Sequence, residues 1–328
     1  PQEEQGSGEP RVALLETVRE YAIELLHTQG DAHQAERRHA EHYLALIQRA
    51  EPRLHGLADV SILNDLEREH GNLQATLQWC LEHGAAEQGL GAGAALAWFW
   101  YGHGHFTEGR RWLAQLLALP AEPARHNVLA QAFWGAGFLA SLQEDRGEAR
   151  ARFEASLAIG RQDGDNQVIA WALHGLALAQ PEHALERPWL DESLAFARQA
   201  GDTVLIALTL SRLGMVVSLA GDDDTARSLL EESLAIHGER DYPWGKALAL
   251  KWLGSVAEAQ GDATTAARWY RAALALRWEL GLPWQVASPL ESLGGLAASH
   301  GHPARALRIA AATTRTFQGA LGVPIHQG

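Results

Sequence analysis

Sixteen histidines and forty acidic residues offer ample material for metal binding or acid–base chemistry, and three groupings have suggestive spacing. Glu36, His39 and His42 lie in one stretch of helical periodicity, so His39 and His42, three apart, would present imidazoles on one face. The H-E-x-x-H arrangement of zinc hydrolases is nevertheless absent, and no cysteine stands nearby. His103 with His105, and His300 with His302, fall where the helical pattern breaks and read as surface turns. No metal site is therefore expected. Phosphate chemistry is excluded on similar grounds: Gly245-Lys246 runs into Ala247, so the backbone cradle of a P-loop and its magnesium-binding hydroxyl are both missing. Gly89, Gly91 and Gly93 form a GxGxG run with no strand before it, which favours a flexible helix start over a dinucleotide site. Spacing alone picks out no Ser, His and Asp triad, because a triad is a matter of geometry. The expectation is a chain that is not an enzyme and holds no cofactor.

The residues that could bind are organised by a repeat. Leu210, Leu213, Gly214, Gly221, Ala226, Leu230, Ser233 and Leu234 recur as Leu250, Leu253, Gly254, Gly261, Ala266, Tyr270, Ala273 and Leu274, and the connector Tyr242-Pro243-Trp244 is answered by Leu282-Pro283-Trp284. A fixed period with small residues at fixed offsets marks helical hairpins that bury their apolar faces against one another. The offsets follow the tetratricopeptide pattern. Gly214 and Gly254 are placed as notches in the first helix of each hairpin, Ala226 and Ala266 as their counterparts in the second. Gly221-Asp222 and Gly261-Asp262 form the turns, glycine taking the left-handed residue and aspartate capping the next helix. Backward alignment through Leu117, Leu157, Leu194, Leu234 and Leu274 gives about six hairpins. The fold class expected is all-α, a right-handed α-solenoid in which hairpins touch only their neighbours. The third hairpin lacks the glycine turn and carries Pro181 and Pro188, so a deformed helix is expected there.

In such hairpins the first helix lines the concave side, and the positions three before and one after the notch look into it. They read Trp134, Trp171, Ser211, Lys251 and Glu291 in one row, and Trp98, Phe138, Gly175, Met215, Ser255 and Gly295 in the other. Aromatic residues crowd one half; small and charged residues, with Arg212 beside them, mark the other. This gradient suits a ligand with an apolar end and a polar end. The alternative is that Trp98, Trp134 and Trp171 simply fill inter-helix core.

Composition narrows the partners. A net charge of −13 argues against a nucleic-acid surface, which needs clustered lysine and arginine. No apolar run reaches membrane-spanning length. The single cysteine, Cys80, excludes a disulfide framework and fits a reducing cytoplasm. The opening PQEEQGSGEP has no packing potential, and its start without methionine suggests a piece of a longer protein. Helices are expected over 11–29, stopped by Gly30, over 31–50, broken by Pro52, and over 59–83, ended by Gly84.

The strings LLETVREYAIELL at 14–26, DLEREHGNLQATLQWCLEHG at 65–84 and FWYGHGHFTEGRRWL at 99–113 resemble the C-terminal half of bacterial signal-transduction ATPases of the AfsR, MalT and LuxR-type regulator group. That resemblance covers residues 11–328. It implies a cytoplasmic transcriptional regulator in which a DNA-binding domain and a P-loop ATPase precede this region and the tetratricopeptide array is the sensor. The domain reading is a disordered leader (1–10), a helical linker or cap (11–84) and a repeat array (85–328) truncated at its C-terminal cap. The helices carrying Leu14 to Leu26 and Leu63 to Leu81 would relay binding to the upstream ATPase or merely cap the first hairpin. A peptide, protein or small inducer would occupy the groove. The alternative reading is a free-standing scaffold joining two proteins.

Overall fold

The structure, a computed structural model, describes residues 2–4, 11–13, 21, 25–26, 28 and 31–320, apart from 58, 60, 121–125 and 282. Fifteen helices dominate the described residues. The polar start is not wholly unstructured, because Gln2–Glu4 (β1) pairs antiparallel with Arg11–Ala13 (β2). This backbone pairing removes 11–13 from the expected first helix. Tyr21, Leu25, Leu26 and Thr28 are helical, whereas Leu14, Leu15 and Val18 lie outside the described residues.

Three helices precede the hairpins: α1 (Ala32–Leu54), α2 (Ser61–Arg68) and α3 (His70–Glu82). Pro52 does not end α1. It sits in the last turn, and the helix runs two residues past it to Leu54. The helix expected over 59–83 is broken at Glu69 into α2 and α3. Leu63, Leu66, Leu73 and Leu77 are all buried between these helices and their neighbours.

Six hairpins follow, each a pair of antiparallel helices in close contact: α4 (Ala86–His103) with α5 (Phe106–Leu117), α6 (His126–Leu142) with α7 (Arg146–Asp163), α8 (Asn166–Leu178) with α9 (Arg187–Ala200), α10 (Thr203–Leu219) with α11 (Asp223–Glu239), α12 (Pro243–Ala259) with α13 (Ala263–Glu279), and α14 (Ala287–Ser299) with α15 (Pro303–Ala320). The first helices are apolar nearly all round. α10 buries Leu205, Ala207, Leu208, Leu210, Leu213 and Met215 to Val217, whereas α7 buries only a stripe of Ala149, Phe153, Ser156, Leu157 and Gly160. A helix covered on every side belongs inside the array, and one with a single apolar stripe belongs on its outer wall.

The turns follow the sequence reading. Gly221 and Gly261 have φ of 88° and 79°, and the Asp222 and Asp262 carboxylates accept from the backbone N–H of Thr225 and Thr265. At the notches, a Cβ on Gly214 would lie 2.6 Å from Leu230 Cγ, and one on Gly254 would lie 2.5 Å from Tyr270 Cε1. The large side chain one turn beyond Ala226 or Ala266 therefore fills the notch.

The third hairpin is shortened, and its helices are regular. α8 stops at Leu178, a 3₁₀ turn spans His183–Leu185, and Pro188 occupies the first turn of α9, where a missing N–H loses nothing. A larger departure is that hairpins touch more than their neighbours. Trp284, in the connector to the sixth hairpin, donates Nε1–H to the carbonyls of Tyr101 (3.1 Å) and Gly102 (2.9 Å) at the end of α4. Its ring packs on Tyr101 and Phe106. The array therefore curls far enough for the connector of its sixth hairpin to return to its first.

Candidate functional site

Inside the curl the first helices of five successive hairpins converge. Trp98 and Tyr101 come from α4, Trp134 and Phe138 from α6, Trp171 and His174 from α8, Arg212 from α10, and Trp244 and Trp252 from α12. Together with Arg277 from α13 they line a groove of about 1090 Å³. Four residues expected on the concave face form one aromatic cluster: ring centroids of Trp98 and Trp134 are 5.6 Å apart, Trp98 and Phe138 5.1 Å, and Trp134 and Trp171 5.0 Å. All four are buried, so the cluster is at once the core of the curl and the wall of the groove. Hydrogen bonds fix it. Trp134 Nε1–H donates to the Trp171 carbonyl (3.0 Å), and Trp171 Nε1–H donates to Asp202 Oδ2 (2.8 Å). Tight packing with both indole donors engaged makes a wall of fixed shape.

A second cleft, of about 790 Å³, lies against the same three tryptophans and adds Glu51, His55, Asn127, Gln131 and Asp165. His55 follows α1 and packs edge-on against Trp171 at 4.9 Å. Burial lowers its pKa against the opposing influence of Asp202 and Glu51. The cap thus touches the wall directly.

The opposite side of the groove is cationic. Arg212 is held by Glu186, with Nε and Nη2 donating to its two carboxylate oxygens at 2.6 and 2.7 Å. Glu186 is 1% exposed and also meets His183 Nδ1 at 2.6 Å. Among the described residues neither Arg277, in the lining, nor Lys251, which is next to Trp252 but not part of the lining, has such a partner. Lys251 Nζ sits 3.3 Å from the Trp252 ring centroid, and burial, then Arg277 and Arg212, push its pKa down to about 8 while Glu291 opposes them. Arg277 is 6% exposed; its Nη1 donates to the Gln285 carbonyl at 3.1 Å, and its Nε finds no acceptor. Its pKa is lowered, chiefly by burial. His174 is driven by burial to about 3 and is neutral beside Arg212.

Not every expected groove residue reaches this space. Met215 is 2% exposed and packs with Leu190, Leu210 and Leu213, so it is core. Ser211 is also core, its hydroxyl 2.8 Å from that of Ser233. Ser255 is half-buried near the Tyr270 hydroxyl. Glu291 is exposed and lines a separate cleft of about 600 Å³ with Gly294, Leu307 and Ile309. The concave-face rule missed Tyr101, Trp244, Glu186 and Arg277. The repeated Pro-Trp connector was a signal for Trp244; Arg277 stands on a second helix, where the rule does not look.

Of the histidine groupings, His39 bonds to Asn72 rather than facing His42. His300 caps Leu296 at the surface. His103 and His105 are half-buried beside Glu67 and His70.

No protein-family model and no curated protein matches the sequence. Solved structures do. NprR in complex with its cognate peptide NprX superposes with a TM-score of 0.57 at 14% identity, covering 84% of this chain and 81% of that one. A Rap protein complexed with Competence and Sporulation Factor gives 0.54 at 10%, covering 87% and 99%. A Signal Transduction ATPase with Numerous Domains (STAND) protein with a tetratricopeptide repeat sensor, from Pyrococcus horikoshii, gives 0.53 at 12%, covering 85% of this chain but 41% of that one. The fold is that of a tetratricopeptide-like α-solenoid. None of the described helices is long and apolar enough to cross a membrane.

Proposed function

We propose that the chain is a sensor array whose interior groove takes a ligand with an apolar body and an anionic end, foremost a peptide with a free carboxylate. The observation that carries this is Arg277, a cation buried in the groove that no carboxylate among the described residues meets and whose Nε has no acceptor. An unpaired buried charge is strongly unfavourable. In a chain of net charge −13 an internal acid would have been simple to supply, so the open side of Arg277, with Lys251 nearby, suits an anion brought from outside. The aromatic wall would hold the apolar body. Two of the similar folds are complexes with a peptide or factor, which supports the same class of ligand.

The wider reading is a cytoplasmic transcriptional regulator in which this array controls an ATPase module upstream. The STAND fold match supports it, as does His55 on the Trp171 ring, which offers a route from groove to cap. The chain itself performs no chemistry in this reading. Tryptophan fluorescence can report occupancy, since five indoles line the groove. Apolar peptides with a free C-terminus should bind roughly 10- to 100-fold more tightly than their amides, the range of a charge-assisted hydrogen bond. Arg277→Met should abolish that preference yet melt no lower than the parent, because it removes an unpaired buried charge. Equal affinity for acid and amide in the parent, or an unchanged preference in Arg277→Met, would reject the reading.

A further inference from the structure

We propose that Glu67, His70, His103 and His105 form a binding site for a zinc-type divalent metal ion, distinct from the groove and joining the cap to the first hairpin. Glu67 lies in the last turn of α2 and His70 opens α3, so the break at Glu69 places both near the α4–α5 corner. At that corner Gly104, with φ of 80°, reverses the chain between His103 and His105 and brings both imidazoles to one side. The His70 and His105 rings stack at 4.6 Å, and those of His103 and His105 at 5.9 Å. One ligand atom each from Glu67, His70 and His105 lies within 4.8 Å of the others.

The outer hydrogen bonds decide what faces inward. His70 Nε2 lies 2.9 Å from Glu108 Oε1, a carboxylate that Gln74 and Trp112 also hold. An ionised carboxylate only accepts, so Nε2 carries the proton and Nδ1 presents a lone pair. His103 Nε2 lies 3.1 Å from the Leu63 carbonyl, which likewise only accepts and leaves Nδ1 bare. Both Nδ1 atoms then face the Glu67 carboxylate at 4.0 Å, too far for a hydrogen bond. By the same rule His105 Nε2–H donates to this carboxylate at 3.0 Å, a proton it would release on binding a metal. The two Nδ1 lone pairs beside the carboxylate favour a cation among them. A histidine whose outer nitrogen donates to a carboxylate or backbone carbonyl is the usual arrangement of a metal-bound imidazole. Three imidazoles and one carboxylate are the donors that zinc accepts in tetrahedral geometry, with ligand atoms roughly 3.3 Å apart.

The test is zinc uptake by untagged, chelator-cleared protein, measured by native mass spectrometry, with Co(II) absorption as a readout of tetrahedral coordination. The parent should bind one Zn(II) at this site and melt higher with it. His105→Ala and Glu67→Gln should each lose that ion while keeping the parent's helical circular dichroism, and Glu108→Gln, which among the four ligands meets only the outer nitrogen of His70, should weaken it roughly 10- to 100-fold. The exposed group His33, Glu36 and His83 is the competing location, so His83→Ala should change nothing. No uptake at micromolar zinc, uptake undiminished in His105→Ala and Glu67→Gln, or loss confined to His83→Ala would each overturn the assignment.

Discussion

Lys251, beside the groove's Trp252, shows how much a single side chain owes to its surroundings. Its pKa of about 8 lies below the ordinary 10.5, first because it is buried and then because Arg277 and Arg212 share the space. Below about pH 8 the folded protein carries a cation that its surroundings disfavour. Between that value and 10.5 the unfolded chain binds more protons than the folded one, so Lys251 makes stability rise with pH across that window. A bound anion has the opposite effect, since it favours the charged lysine. Affinity for an anionic ligand should therefore fall as pH rises through about 8, and in Lys251→Arg, which does not titrate there, it should stay flat. A titration series from pH 7 to 9.5 measures this, and parallel profiles for parent and variant would remove Lys251 from the site. The position was legible as a charged residue on the concave row. Its companion Arg277 was not, because inward-facing positions on second helices depend on how sharply the array curls, which no local spacing encodes.

At the scale of elements, the legible features were those fixed by backbone chemistry. Glycine at positive φ followed by a capping aspartate recurs at Gly221-Asp222 and Gly261-Asp262, and each pair dictates its own turn. The third hairpin was misjudged because Pro188 was read against a helix interior, whereas it initiates α9 and lets the preceding 3₁₀ turn present Glu186 to Arg212. Local sequence named the irregularity but not its use. The notch glycines test the register of the hairpins. With Tyr270 Cε1 2.5 Å from an added Cβ, Gly254→Leu should overpack the α12–α13 crossing and destabilise by about 1–3 kcal/mol. Gly238→Ala, where nothing lies within 4 Å, should be neutral or slightly stabilising. Denaturant melts of the two variants compare them directly, and equal midpoints would mean that the crossing does not depend on the glycine.

At the scale of the whole molecule, the decisive bonds span 182 and 183 residues. Trp284 ties the connector of the sixth hairpin to the Tyr101 and Gly102 carbonyls, and Trp244 packs on Tyr101 at 5.9 Å. An open solenoid flexes by small rotations between neighbours. A curl fastened end to start has its interior volume set by the fastening, so the groove cannot widen without breaking it. Occupancy and closure are then linked: a ligand spanning the aromatic wall and the Arg212, Lys251 and Arg277 side shifts the array toward whichever curvature it fits. Trp284→Ala removes both hydrogen bonds and the ring contacts with Tyr101 and Phe106, whereas Trp284→Phe removes the hydrogen bonds and keeps an aromatic ring. The alanine variant should show a larger radius of gyration by small-angle X-ray scattering and faster proteolysis near the connector, with helical content unchanged. The phenylalanine variant should fall between it and the parent. If the groove ligand closes the array, adding it should shrink the alanine variant back toward the parent's dimensions and bind it more weakly, by the free energy needed to re-form the curl. Identical scattering from all three proteins would mean that neighbour contacts alone set the curvature, and that Trp284 rests on the first hairpin without fastening it.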